Sequence, residues 1–576
     1  MNKQKPKAKI NHKLAIYQIF TRLFGNQNLT NQFNGSIETN GCGKFKDINT
    51  AALKSIKSLG ITHVWYTGVI EHATMTDYTA FGIAKDHPSV VKGKAGSPYA
   101  IKDYYDIDPD LAVNVDERMQ EFEELVKRTH QQELKVIIDF IPNHLARAYK
   151  SDKKPDGVRD FGEDDDNSVF FDPKNNFYYL PGNELVLPKD PNDLGVGVSE
   201  YTEKPAKATG NDVFSHHPTI NDWFETIKLN YGVNYRDGHM LHFDPIPDTW
   251  IKMKDILLFW SAKGVDAFRC DMAEMVPVEF WEWVIKEVKT QYPEVIFIAE
   301  IYNPHNYRTY IFRGGFDYLY DKVGLYDCMR ALIEGHGSAD RITEVWQFES
   351  GDYAEHMLRF LENHDEQRLA SDFFGKDPFI GLPAMALSSF LHSGPLMLYF
   401  GQELGIKAVE AEGFQGADGR TTIFDYWGLA DIAAWNNNGK WNTSKLSKDQ
   451  KSLRKAYTDI INFAKENEAI TDGQFFDLQY VNGYGQSVNY NSQKLYSFLR
   501  FSKKQKLLFV FNFDHTDSYE TSVKIPSLAY DMMGIANKKK WSFNNLGSKA
   551  KKIHLTENEA LPIKLPPNSW QVYEIA

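Results

Sequence analysis

The chain of 576 residues exceeds one ordinary domain, and its 42% hydrophobic and 25% charged residues support a large core and exclude wholesale disorder. A formal net charge of −12 argues against a nucleic-acid partner, because gripping a phosphate backbone needs a basic footprint; a neutral or small substrate suits it better. Three cysteines, Cys42, Cys270 and Cys328, are odd in number and far apart, so they form neither a disulfide framework nor a zinc motif and read as buried thiols. No apolar run approaches bilayer-spanning length, so a soluble chain with no membrane partner is expected. The basic opening "MNKQKPKAKINHK" lacks the apolar run and cleavage site of a signal peptide. A cytoplasmic place, or a periplasmic or secreted one after removal of a leader, both fit, and the oligomeric state is open.

Taken in chain order, apolar strand-like runs recur, each followed by a helical pattern. They are "LAIYQIF", "ITHVWYTGVI", "KVIIDFIPNH", "VDAFRCDM", "VIFIAEIY", "FDYLYDKVGLY", "MLRFLENHD" and "PLMLYFGQELG". Eight such units are the count that closes a (β/α)8 TIM barrel, an α/β fold. Most of the runs end in polar residues after an apolar stem. In a barrel those ends converge on one mouth, which is where catalysis is found. Between the third and fourth runs lies a stretch rich in Asp, Asn, Gly and Pro that is too long for a bare loop, and it reads as an inserted domain. Its acidic run, Asp164 to Asp166, reads as a solvated loop. After about residue 470 the pattern turns to short alternating strands such as "KLYSFLRFS" and "KLLFVFNFD", which predicts a C-terminal antiparallel β-sandwich domain. The boundaries expected are 1–144 and 232–465 for the barrel, 145–231 for the insertion and 466–576 for the β domain.

Four strand ends carry the chemistry. In "GVDAFRCDM", Arg269 and Asp271 are two apart on a strand, so both side chains take one face and the guanidinium meets the carboxylate. That pairing suits either a structural ion pair or a carboxylate held ionised for attack. Asp271 and Glu300, from neighbouring strands, can flank a glycosidic bond, one attacking the anomeric carbon and one protonating the leaving oxygen. Asp365 can stabilise positive charge on the sugar, and His144 and His364 can hydrogen-bond its hydroxyls.

In order, "DFIPNH", "GVDAFRCD", "IAE" and "ENHD" resemble the conserved regions of the α-amylase family, glycoside hydrolase family 13, over roughly residues 13 to 430. The segments "NGCGKFKDI" and "GRTTIFDYW" extend the resemblance. It implies a nucleophile at Asp271 oriented by Arg269, an acid/base at Glu300, a transition-state stabiliser at Asp365, and an α-glucan substrate. The stretch "SPYAIKDYYDIDP" resembles the family segment that places a tyrosine under the reacting sugar, here Tyr99, with Asp103 nearby. Asn143 matches a position that binds structural calcium, Ca2+, together with oxygens of the insertion, and no organic cofactor is implied. One departure stands out: Glu274 and Met275 occupy the place where many endo-acting α-amylases carry a Lys-His pair, and the continuation "MAEMVPVEFW" looks closer to the neopullulanase and cyclomaltodextrinase branch.

Overall fold

The computed structural model describes residues 13–188 and 201–576, except 411, 415, 484, 488, 548–551 and 558; most of the basic opening segment therefore lies outside the described residues. Each of the eight apolar runs contributes one strand: β1 (Ala15–Phe20), β2 (His63–Thr67), β3 (Lys135–Phe140), β4 (Ala267–Cys270), β5 (Ile296–Ala299), β6 (Tyr318–Tyr320), β7 (Met357–Leu358) and β8 (Leu396–Tyr399). They form one parallel sheet in the order β7-β6-β5-β4-β3-β2-β1-β8. A parallel bridge from Arg359, just past β7, to Leu396 of β8 joins the two ends and closes the barrel.

Strand periodicity decides which residues face inward. Ile16, Trp65, Ile137, Ala267, Ile298 and Met397 gather in one buried cluster. Their neighbours Tyr17, Val64, Ile138, Phe268, Phe297 and Leu398 pack outward in a second cluster that includes helix residues such as Phe122, Trp260 and Val284. Because side chains alternate along a strand, continuing the inward parity past the apolar stems brings Gln18, Thr67, Asp139, Arg269, Asp271 and Glu300 to the interior of the barrel mouth. The helices that follow the strands, among them Arg118–Gln131, Asp248–Ala262 and Val278–Gln291, lay their apolar faces over the outward cluster.

Between β3 and helix Asp248–Ala262 the chain makes its long excursion. It leaves and returns through an antiparallel pair, His144–Ala146 with Thr226–Lys228, and holds a second pair, Tyr179–Leu180 with Ala206–Lys207. Asp165, from the acidic run, accepts from the backbone N–H of Asn176 and Phe177, so this loop is folded onto its neighbours and only Asp164 and Asp166 behave as surface acids. At the C-terminal end six antiparallel strands, led by Gln474–Asp477 and Leu495–Phe501, face a two-stranded sheet of Tyr519–Val523 and Leu561–Leu565 across a core containing Leu499, Leu508, Val523 and Ile563. Asp477 ties this domain to the barrel by accepting from Thr343 Oγ1 at 2.7 Å and from Trp346 Nε1 at 2.5 Å. Cys270 and Cys328 are buried and Cys42 is half-buried, all three as free thiols. Among the described residues no helix is long and apolar enough to cross a membrane.

Candidate active site

Arg269 organises the mouth of the barrel. Its Nη1 donates to Asp271 Oδ1 at 2.7 Å, its Nε donates to the Tyr320 hydroxyl at 3.2 Å, and Nη1 lies 3.4 Å from Asp139 Oδ1. Nη2 sits 2.8 Å from Glu300 Oε2, a charge contact without hydrogen-bond alignment. One buried cation therefore spans the carboxylates at the ends of β4 and β5. Asp271 is pushed well above the ordinary carboxylate range, first by burial and then by the negative charge of Glu300, while Arg269 pulls the other way. Asp139, whose Oδ2 accepts from Trp65 Nε1 at 2.9 Å, is raised by burial as well.

Glu300 is held at both oxygens. Oε2 accepts from the Met272 backbone N–H at 2.8 Å and Oε1 from the Tyr302 hydroxyl at 2.6 Å. Met272, directly after Asp271, adopts φ of 42°, in the left-handed region that a non-glycine residue enters at a cost. The next residues hold the same loop from the other side: Glu274 accepts from Tyr302 N at 3.1 Å and from Asn303 N at 3.2 Å.

Past β7, the Asn363 side chain accepts from the N–H groups of Asp365 and Glu366, both at 2.9 Å, an Asx turn that presents Asp365 to the cleft. Gln18 Nε2 lies 2.7 Å from His364 Nδ1, which leaves the opposite ring nitrogen, 3.0 Å from Asp365 Oδ2, to carry the proton. Tyr99 stacks on His364 with ring centroids 5.3 Å apart, and its hydroxyl meets the same nitrogen. Arg420 donates to the Asp365 carbonyl at 2.7 Å. Burial pushes Asp365 up, but His364, Arg269 and Arg420 outweigh it and leave the group below its ordinary value. Two carboxylates of one cleft are thus driven in opposite directions. Tyr302, Tyr320, Asp139 and Arg420 were not singled out from sequence; the first three share inward parity with Glu300 or Arg269, and Arg420 stands in "GRTTIFDYW".

Residues 18–473 match the family model of the alpha amylase catalytic domain, and residues 486–576 that of the alpha amylase C-terminal all-beta domain. The chain belongs to the α-amylase family. Alpha-amylase 3 of Dictyoglomus thermophilum is 24% identical over 399 residues, covering 65% of this chain and 68% of that protein. Alpha-1,4-glucan:maltose-1-phosphate maltosyltransferase of Cereibacter sphaeroides is 39% identical over 92 residues, 15% of this chain, and the chain spans only 16% of that enzyme's length. Among solved structures, the maltogenic α-amylase AmyB of Thermotoga neapolitana has a TM-score of 0.61 at 18% identity, covering 98% of this chain and 99% of its own. The α-amylase of Geobacillus thermoleovorans, solved with acarbose, gives a TM-score of 0.61 at 18% identity over 98% of both chains. At these identities the likeness is one of fold.

Not every residue expected at the site of this α-amylase-family chain lies there. Asp103 is fully buried and accepts from Tyr105 N, Ser151 Oγ, Asp152 N and Lys153 N, so it anchors the turn at residues 151–153 and stands opposite Glu71 in the strand pair. His144 is closer to expectation: its ring packs 5.1 Å from Trp223, the Tyr99 backbone is within hydrogen-bond reach of it, and burial, reinforced by Lys228 and Lys92, lowers it to about 3. It is a neutral donor and acceptor. Asn143, the expected calcium ligand, is fully buried, and its Oδ1 already accepts from the Lys228 ammonium while its Nδ2 donates to Gly210 O at 2.7 Å. Lys228 pairs further with Asp212 at 2.7 Å. The residues at Asn143 therefore do not fit a divalent ion, because a resident cation takes the oxygen the metal would need. The fit around them is close: a Cβ on Gly210 would stand 2.8 Å from that of His144 and 2.5 Å from Thr226 Oγ1.

Proposed function

We propose that the protein is a retaining α-glucan hydrolase that cleaves α-1,4 bonds of maltooligosaccharides through a covalent glycosyl-Asp271 intermediate. The observation that carries this reading is the single Arg269 guanidinium contacting both Asp271 and Glu300, side by side at the ends of β4 and β5. Asp271 attacks the anomeric carbon while Glu300 protonates the leaving oxygen; Glu300, then ionised, takes a proton from the water that releases the sugar. Asp365, kept ionised by His364 and two arginines, stabilises the positive charge that develops on the ring. Tyr99 supports the reacting sugar, and His144 and His364 bond its hydroxyls.

The leaving-group side supports a preference for short chains. Glu274 spends its carboxylate on two backbone N–H groups, and Met272 and Met275 flank it, so a cationic hydrogen-bonding pair is replaced by groups with little to offer a long polymer. Higher kcat/KM on maltooligosaccharides than on starch is expected, with some transfer to sugar acceptors at high concentration. A transglycosylase, or a cyclomaltodextrinase or neopullulanase-like enzyme, is the second reading, and the 39% identical stretch in a maltosyltransferase favours transfer. The experiment is an NMR time course on maltotetraose followed by product analysis with added acceptors. First appearance of the α-anomer supports the retaining mechanism, and β-anomer first rules it out. Equal efficiency on polymeric starch would discard the short-chain preference.

A further inference from the structure

A second set of buried acids lies away from the cleft. Strand Ile70–His72 pairs antiparallel with Ile101–Ile107, placing Glu71 directly opposite Asp103. Like charges facing each other across a ladder oppose pairing. The register shifts on both sides of Glu71: Ile70 meets Ile107 although Glu71 meets Asp103, so the partner strand bulges by several residues. That bulge brings Asp106 to the same side, and the turn capped by Asp103 brings Asp152. One carboxylate oxygen from each of Glu71, Asp103, Asp106 and Asp152 lies within 4.8 Å of the other three.

The compensation is incomplete. Arg118 pairs with Asp106 and reaches Asp152 at 3.7 Å, while Lys102, next in sequence to Asp103, is committed to Asp86 at 2.9 Å. Glu71 is 1% exposed, and neither of its oxygens has a hydrogen-bond partner. A buried carboxylate left without a donor is costly, and native proteins rarely leave one so. Burial and the three neighbouring acids push it up to about 10.

We infer that Glu71, Asp103, Asp106 and Asp152 hold a calcium ion that pins the bulged strand to the turn at Ser151 and Asp152. Calcium binds carboxylate oxygens at about 2.3–2.6 Å, so ligands on opposite sides of the ion stand about 4.6–5.2 Å apart, whereas magnesium at about 2.0–2.1 Å would need a tighter set. Four carboxylate oxygens within 4.8 Å of one another leave room for the larger ion, and calcium readily takes such an all-carboxylate set. With four carboxylates and one arginine in the set, a dication removes most of the uncompensated charge and supplies the partner Glu71 lacks. The calcium expected at Asn143, where Lys228 stands, is thus assigned to a different place in the fold.

The test uses the full chain, stripped with EDTA and titrated with calcium chloride by calorimetry, with melting followed in parallel. One equivalent of calcium and a rise in Tm of several degrees are expected. Glu71→Gln should weaken calcium binding at least tenfold. Asp152→Asn, at an exposed member of the set, should do the same and decides the matter if the Glu71 variant does not fold. Asp212→Asn, beside Lys228, should bind calcium like the wild type. No calcium heat and no Tm change in the wild type, wild-type affinity in the cluster variants, or loss of binding in Asp212→Asn would each overturn the assignment.

Discussion

The barrel mouth and the Glu71 cluster both bury several carboxylates within a few ångströms, yet they manage the charge differently. In the mouth, Arg269 faces three acids at once and Glu300 has a donor at each oxygen. In the cluster, the one arginine is spent on Asp106 and Asp152, and Glu71 has no donor. A resident guanidinium offsets part of the cost of burying such acids and leaves the cleft open to substrate. A cluster without enough resident charge must take a proton or recruit a cation. The difference teaches that the count of buried acids says little about function until the cations and donors facing each one are known.

The strongest way to break this contrast is Asp271→Asn, which removes the acid that accepts from Arg269 Nη1 at 2.7 Å. Turnover should fall at least about a thousandfold. Stability should move the other way: a carboxyl whose folded pKa is raised takes up protons on folding, so its ionised form opposes the fold above the ordinary carboxylate range of about 4. The variant should melt higher than wild type at pH 7, and the gain should vanish as pH falls below about 4. Melting curves across pH 3–7, with kcat on maltotetraose, check both signs.

Arg269→Met sharpens the point, since it takes away the cation and keeps the acids. A loss of roughly a hundredfold or more in kcat/KM is expected, and the acidic limb of the pH profile should move to higher pH because Arg269 lowers Asp271 against burial. An unmoved limb would mean that some other group sets it. Tyr302→Phe is gentler: it removes one of the two hydrogen bonds on Glu300, for a loss of about tenfold on unactivated oligosaccharides and less on aryl glycosides with good leaving groups. The smallest effect on activity is expected from Lys228→Met. It strips the ammonium from Asn143 and should cost about 1–3 kcal/mol of stability, measured by denaturant unfolding, while kcat stays within about threefold.

Much of the barrel was legible because each strand is an apolar stem with period two ending in polar residues, as in Ile137 to Asp139 or Ala267 to Asp271, and parity alone carries the polar ends to one place. Strand β7 is a harder case, two residues long and completed only by the Arg359 bridge, yet its "ENHDEQR" ending marked it. Tyr302 could have been found by extending the same parity two residues past Glu300. Lys228 could not: the ammonium that takes Asn143 Oδ1 comes from 85 residues away through a strand of three residues, and a sequence pattern does not say which oxygen a lysine will reach. The contacts of Asp103 were hidden for a related reason. Its place beside Tyr99 in the chain suggested the cleft, but it pairs opposite Glu71 and takes its donors from the turn at Ser151 to Lys153.

The pair of strands through which the long excursion leaves and returns has a consequence for how this chain can vary. Ala146 lies opposite Thr226, and Arg147 N donates to Glu225 O at 3.1 Å, so the outgoing and incoming chains run side by side. Seen from the barrel, everything between them is a hairpin loop of arbitrary length. The closure entropy of such a loop grows only logarithmically with the residues it contains. Lengthening, shortening or exchanging that loop therefore leaves the geometry of β3 and β4 nearly untouched, and a lineage can remodel one wall of the cleft by insertion and deletion while the reacting groups stay where they are.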